Sequence, residues 1–255
     1  MESFFVDPKN IRNGLAKIEG EEYHHLAHSL RKRVGERILL FDGSGKVYMA
    51  TITKITKEYA ECEIINENFM LGEIEAEITV AQAILKNTDR FEFAIEKLTE
   101  IGIKRIIPII TSRVISPKSK IDRWQKIILS ACKQSNRAII PEIDEPIKFD
   151  ELLEISSKFE IKIIFHESES TEFKRGFLFD HLKKIKNANS IILAVGPEGG
   201  FTEDEISKAV RFGFEVVSLG QRRLRSETAS IVGAGVIAQF IFANLKRKEI
   251  EDCRR

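Results

Sequence analysis

The chain is poor in the residues that would make it anything other than an ordinary globular protein. With three cysteines, six prolines and fifteen glycines among 255 residues, collagen-like, low-complexity and disulfide-stapled organisations are excluded. Cys62, Cys132 and Cys253 form no C-x-x-C pair, and no histidine stands at zinc-finger spacing from them. A reducing, cytosolic setting without a structural metal is therefore expected. An excess of charge of one sign is also lacking, because 40 basic side chains face 39 acidic ones. That excludes a globally basic coat for nucleic acid but leaves room for a local basic face. The first seven residues have no charged start followed by a long apolar run, so they read as a strand rather than a signal peptide. The most apolar stretch, residues 229–245, is interrupted by Ser230, Gln239 and Asn244. It falls short of the about 20 residues of a membrane span, and a buried helix is expected there.

What is present falls into two textures. Up to about Met70, short β-patterned runs at residues 4–6, 37–41, 47–55 and 59–66 are separated by turns, one of them Asp42-Gly43-Ser44-Gly45. One helix, near residues 21–30, places Leu26 and Leu30 on one face. A small barrel-like β unit over residues 1–72 is predicted. From residue 73 to 255 strands alternate with longer helices, the pattern of a parallel α/β sheet. Strands are expected at 78–84, 106–110, 161–165, 190–195 and 214–219, and helices at 90–101, 121–133, 151–158 and 177–186. Residues 167–176 form the longest polar loop.

Two glycine-bearing loops, Gly196-Pro197-Glu198-Gly199-Gly200 and the one opening at Gly220, each leave the end of an apolar strand. Open α/β sheets place their ligand crevice at such ends. Neither loop matches a dinucleotide or P-loop glycine pattern, and Pro197 and Glu198 disfavour a phosphate. Backbone amides and carbonyls beside a carboxylate suit a ligand with nitrogen edges or a positive charge, such as an adenosyl sulfonium. The plain alternative is two strand-to-helix turns. Arg222, Arg223 and Arg225 with Glu227 make a dense charged loop before the apolar helix. A guanidinium there can stabilise an oxygen that gains charge in a transition state, and the competing reading is a structural Arg225–Glu227 ion pair. His24 and His25 have no third ligand beside them, so helix packing or RNA contact is favoured over a metal. Arg31, Lys32, Arg33 and Arg37 can steer a phosphate backbone, although most charge runs are solvated faces. A hydrolase elbow of the G-x-S-x-G type is missing.

Gly196-Pro197-Glu198-Gly199-Gly200, Leu219-Gly220 and Leu224-Arg225-Ser226-Glu227-Thr228-Ala229 together resemble the signature of the RsmE family, 16S ribosomal RNA uridine-N3 methyltransferases of the SPOUT class. Further matches run along the chain: His24-His25-Leu26 with Leu30-Arg31, Phe41-Asp42-Gly43, Lys86 with Asp89-Arg90, Lys97 with Glu100-Ile101-Gly102, Ser112-Arg113, and Trp124 with Gln134-Ser135 and Arg137. Lys133, Gln221, Arg223 and Ser3 depart from the pattern.

The resemblance implies an α/β fold with a C-terminal SPOUT-type trefoil-knotted domain, a rare exception to unknotted topology, preceded by a PUA-like β-barrel. It implies a homodimer acting on 16S ribosomal RNA of the small subunit, with S-adenosylmethionine as cofactor; the cytoplasmic setting and the lack of metal and membrane are the expectations already drawn from the residues. The cofactor would lie against Leu193, Gly196, Glu198, Gly199, Gly200, Leu219, Gly220, Leu224, Thr228 and Ala229. RNA would meet Arg31, Arg33, Lys86, Arg113 and Arg137. Uracil N3 carries a proton near pH 7, so transfer requires its loss while charge spreads onto the carbonyl oxygens. Arg225 is expected to donate to a carbonyl, and Glu227 to orient Arg225 or accept the proton.

Overall fold

A computed structural model describes residues 1–114, 119–167 and 176–252, with side chains described as far as residue 244. Cys253 and most of the expected polar loop at 167–176 lie outside the described residues. The chain forms two compact units, Met1–Glu73 with Leu129–Ile140, and Ile74–Ile128 with Pro141–Arg255.

The first unit carries β1 (Ser3–Phe5), β2 (Ile11–Arg12), β3 (Leu15–Glu19), α1 (Gly20–His24), β4 (Arg37–Phe41), β5 (Lys46–Ile55) and β6 (Tyr59–Phe69). Its six strands run in the order β1-β4-β5-β6-β3-β2. Only the β1–β4 pair is parallel. Alternation sets the inner face: β3 buries Ala16 and Ile18 and exposes Leu15, Lys17 and Glu19. Phe4, Ile18, Leu26, Ile38, Leu40 and Ile52 form the centre of the core. The β2–β3 hairpin was not among the expected strands, although Asn13-Gly14 at its tip has the positive φ values (51° and 77°) that a two-residue turn requires. The expected helix at 21–30 begins as α1 and changes at His25–Ser29 into a π-helical turn. Arg31 follows with φ 52°, in the left-handed region that side chains seldom enter.

The segment Leu129–Ile140 is fastened to this unit by a buried carboxylate. Glu73 Oε1 accepts from the backbone N–H groups of Ala138 (2.8 Å) and Ile139 (3.0 Å), and Oε2 accepts from Arg137 Nη2 (2.8 Å). Lys133, one of the departures from the family pattern, pairs with Glu22 at 2.7 Å.

The second unit contains β7 (Glu77–Ala83), α2 (Thr88–Ile101), β8 (Arg105–Ile110), α3 (Ile121–Ser135, whose last turns belong to the first unit), β9 (Glu142–Ile143), β10 (Ile147–Lys148), α4 (Phe149–Ile155), β11 (Ile161–Phe165), β12 (Gly176–Phe177), α5 (Leu178–Ile185), β13 (Ser190–Val195), α6 (Glu203–Arg211), β14 (Glu215–Ser218) and α7 (Ser226–Asp252). The sheet order is β10-β8-β7-β13-β11-β14-β12, with β9 also on β8, and every pairing is parallel. β7 and β13 are buried almost throughout, as strands covered on both faces must be. The expected helix at 177–186 yields Phe177 to β12, which pairs with β14.

Two helices owe their start to side-chain caps. Asn87 accepts from the N–H groups of Asp89 and Arg90 at the head of α2. At α6, Thr202 and Glu205 close the capping box that their spacing predicts. α7 runs longer than residues 229–245, and its stretch Ser226–Asn244 is long and apolar enough to cross a membrane by length and composition. Here it packs on α2, α5, β7 and β13. Ala234, Ile237 and Ala238 are fully buried, and a methyl group at Gly233 would overlap the Phe165 ring. Only 39% of that stretch is buried within one chain, so burial all round is not achieved by this chain alone.

Because the sheet is parallel, the ends of β7, β8, β11, β13 and β14 share one edge. The loops that leave it begin at Ile84, Thr111, His166, Gly196 and Leu219.

Candidate active site

Three of these segments are locked together by one buried chain of hydrogen bonds. Gln82, fully buried near the end of β7, donates through Nε2 to Ser226 Oγ (2.9 Å) and to the Ala83 carbonyl (2.9 Å). Ser226, the first residue of α7, donates in turn to the Gly196 carbonyl after β13. The start of the last helix is thus pinned against the first glycine loop, although 30 residues separate them. The second loop is shaped locally: Ser218 Oγ bonds both the carbonyl and the N–H of Gly220. Leu224 N–H donates to Glu167 Oε1 at 2.7 Å. Gly200 and Gly220 have φ of 68° and 131°, and the place a Cβ would take is open at both.

A cleft of about 660 Å³ lies beside the first glycine loop, lined by Ile84, Lys86, Asn87, Arg90, Arg113, Val114, Glu198 and Gly199. Its walls are cross-braced. Glu198 accepts the Lys86 backbone N–H (3.1 Å), and Arg113 Nη1 donates to the carbonyls of Gly199 and Phe201. Glu205, only 4% exposed, reaches in two directions. Oε2 accepts from Thr202 N (2.8 Å) and Oγ (3.2 Å), and Oε1 from Ser112 N (2.8 Å) and Oγ (3.0 Å). Three cationic side chains, Lys86, Arg90 and Arg113, therefore border one opening. A cleft with this cationic border can attract an anionic polymer, and apolar walls such as those at Ile84 and Val114 can accept a flat ring.

Gly196, Glu198, Gly199, Gly200, Leu219, Gly220, Leu224, Arg225, Glu227, Thr228, Ala229, Lys86 and Arg113 all fall on loops or helix starts at this edge. Three expectations need correction. Leu193 is fully buried inside β13, paired with Ile163 on one side and Val80 on the other, and so builds the sheet instead of lining a loop. Arg137 is held by Glu73 with 5% of its side chain exposed, which withdraws it from any RNA. The Arg225–Glu227 pair does not form: Arg225 is exposed, and the buried Glu227 faces Arg90 Nε at 3.7 Å. Arg223 is 3.9 Å from Glu167 with its side chain 85% exposed, too solvated to matter much. Arg31 and Arg33 are exposed on the first unit, while their neighbour Lys32 is paired with Glu2 and Glu36. Gln82 was not singled out from the sequence, Ser226 stood there only as a member of the Leu224–Ala229 match, and Glu205 only as the capping partner of Thr202. For Arg90 the only signal was its place in the Asp89-Arg90 match.

The class of protein is defined by two family descriptions: an RNA methyltransferase domain matches residues 73–238, and an RNA methyltransferase PUA domain matches residues 18–65. The ribosomal RNA small subunit methyltransferase E of Buchnera aphidicola is 32% identical over 235 residues, covering 90% of this chain and 89% of that one. Its namesake from Synechocystis is also 32% identical, covering 91% and 75%. The structure of the Neisseria gonorrhoeae enzyme of the same name, bound to S-adenosyl methionine, superimposes with a TM-score of 0.78 at 33% identity over 94% of this chain and 97% of that chain. This chain belongs to the ribosomal RNA small subunit methyltransferase E family.

Proposed function

We propose that the protein transfers a methyl group from S-adenosylmethionine to N3 of a uridine in 16S ribosomal RNA of the small subunit. The observation that carries this reading is the Gln82–Ser226–Gly196 linkage. It sets a glycine loop, the head of α7 and a cationic cleft side by side in a chain of this family.

The residues fit the cofactor. Gly200 and Gly220 leave open space at two strand ends, and the loops offer backbone amides and carbonyls without a phosphate-binding pattern. Gly196 to Gly200, Leu219, Gly220, Leu224, Thr228 and Ala229 would hold it. When bound, it supplies an electrophilic methyl group on a sulfonium. The chain's own residues do the rest: Lys86 and Arg113 draw the RNA into the cleft, Arg225 donates to one uracil carbonyl, and Glu227 takes the N3 proton. Arg31 and Arg33 on the PUA-like domain, residues 1–72, add phosphate contacts.

Two features of the fold support the remaining parts of the reading. After β14 the chain passes back beyond β11 so that α7 packs on β7 and β13, a path consistent with a trefoil knot. The incompletely buried apolar face of α7, with Val232 42% exposed, suits a second copy of the chain in a cytoplasmic homodimer.

The test is to incubate the purified protein with labelled S-adenosylmethionine and small subunits lacking the modification, then digest the RNA. Labelled 3-methyluridine is expected. Label in a ribose or another base, or none despite bound cofactor, overturns the reading.

A further inference from the structure

We propose that Arg90 and Glu227 together form the recognition element for the uracil imide, with Arg90 as a second catalytic guanidinium that binds the carbonyl Arg225 does not. This rests on the function proposed above and names a residue it leaves out.

Glu227 sits in the first turn of α7, where the helix dipole favours a carboxylate. That preference accounts for an acidic residue but not for its surroundings. The side chain is 9% exposed and its Oε2 has no hydrogen-bond partner among the described residues. Oε1 faces Arg90 Nε at 3.7 Å, an ion pair beyond hydrogen-bond reach. A buried carboxylate oxygen without a donor is disfavoured in a finished fold and marks a place where a donor arrives. Glu227 is not itself in the cleft lining, but Arg90 is and reaches from it to Glu227 Oε1, so a donor to the covered Oε2 would enter from the cleft past the Arg90 arm. Asn87 fixes the base of that arm by accepting the Arg90 backbone N–H.

The imide edge of uracil presents a donor, N3–H, between two carbonyl acceptors. A carboxylate oxygen flanked by guanidinium groups is its complement. Cytosine has an unprotonated N3 there and would set a lone pair against the carboxylate, so the pair selects for an imide. In the reaction the N3 proton passes to Glu227 Oε2. The N3 electron pair forms the new N–C bond as the methyl–sulfur bond breaks, and the bonding pair of that bond stays on sulfur. Arg90 stabilises the charge that spreads onto the carbonyl beside it. The carboxyl group ends protonated and the sulfonium ends as a neutral thioether, so charge balances.

The experiment uses the full chain with Arg90→Gln and Arg90→Lys. Single-turnover methylation of unmodified small subunits is measured at saturating cofactor, with cofactor affinity, subunit affinity and the thermal midpoint followed in parallel. Affinities are compared for subunits bearing uridine or cytidine at the target position. Arg90→Gln is expected to slow methyl transfer about a hundredfold, to leave cofactor affinity within about twofold, and to weaken the preference for uridine severalfold, Glu227 still opposing the cytosine lone pair. Arg90→Lys, which keeps the charge, is expected to recover part of the rate. An unchanged rate in Arg90→Gln, a uridine preference as large as that of the wild type, or a loss that merely parallels a fall in midpoint and cofactor affinity in both variants overturns the proposal. Failure of the wild-type protein to produce 3-methyluridine would instead sink the underlying function.

Discussion

Arg137 and Arg31 look alike in the sequence, as basic residues beside family-like motifs, and the structure separates them by what surrounds each charge. Arg137 is enclosed with Glu73, whose partner atoms also include two backbone N–H groups. Arg31 is exposed and presented from a left-handed backbone position. Replacing one member of a buried pair leaves the other without compensation and costs about 3–5 kcal/mol. Arg137→Met is therefore expected to lower the urea midpoint sharply and to leave the salt dependence of RNA binding per folded molecule unchanged. Arg31→Ala is expected to do the reverse, reducing the slope of log affinity against log salt by about 1. Equal effects of the two on RNA binding would contradict the division. A sequence displays charge but not the partner 64 positions away that neutralises it, which is why Arg137 was expected at the RNA.

Elements were legible where a local pattern decides them. The strand at 190–195, the capping box at Thr202 and Glu205, and the helix carrying Phe91, Ala94, Ile95 and Leu98 stand where periodicity and caps put them. β12 was not legible, because two residues have no period and their strand character comes only from pairing with β14. The π-helical turn at His25–Ser29 was hidden for a similar reason, since its apolar spacing is also that of an α-helix. The second use of Glu205 was equally invisible: the capping signature reports the bond to Thr202 but not the grip on Ser112. That grip holds the loop from which Arg113 reaches the glycine loop. Glutamine also serves in a capping box, but its amide cannot accept at both ends. Glu205→Gln is expected to lower the thermal midpoint modestly, because Ser112 loses its buried acceptor, and to raise KM for small subunits severalfold with cofactor affinity preserved. A midpoint loss with KM intact would assign Glu205 to helix capping alone.

At the scale of the molecule, the two textures of the sequence correspond to a mixed sheet and a parallel sheet, but the return of Leu129–Ile140 to the first unit has no sequence marker. That first unit also concentrates the buried weak acids. Burial pushes the thiols of Cys62 and Cys132 up to about 12, and burial with the neighbouring Asp42 carboxylate raises the Tyr48 phenol. Each group holds its proton more tightly folded than unfolded, so its contribution is complete below the unfolded value, about 8.5 for a thiol, and is lost as pH rises through the folded one. Stability of the first unit is expected to fall between pH 9 and 11 by about 1.4 kcal/mol per pH unit for each titrating thiol. Urea unfolding across that range measures it, and a Cys62→Ala, Cys132→Ala double variant should show a shallower decline. The Glu73–Arg137 closure has a further consequence in time. Synthesis at about 5–20 residues per second delivers Arg137 roughly 3–13 s after Glu73. During that interval the nascent first unit holds a carboxylate whose counter-ion does not yet exist. The RNA-binding half of this protein is thus begun first but finished only after the methyl-transfer half is well under way.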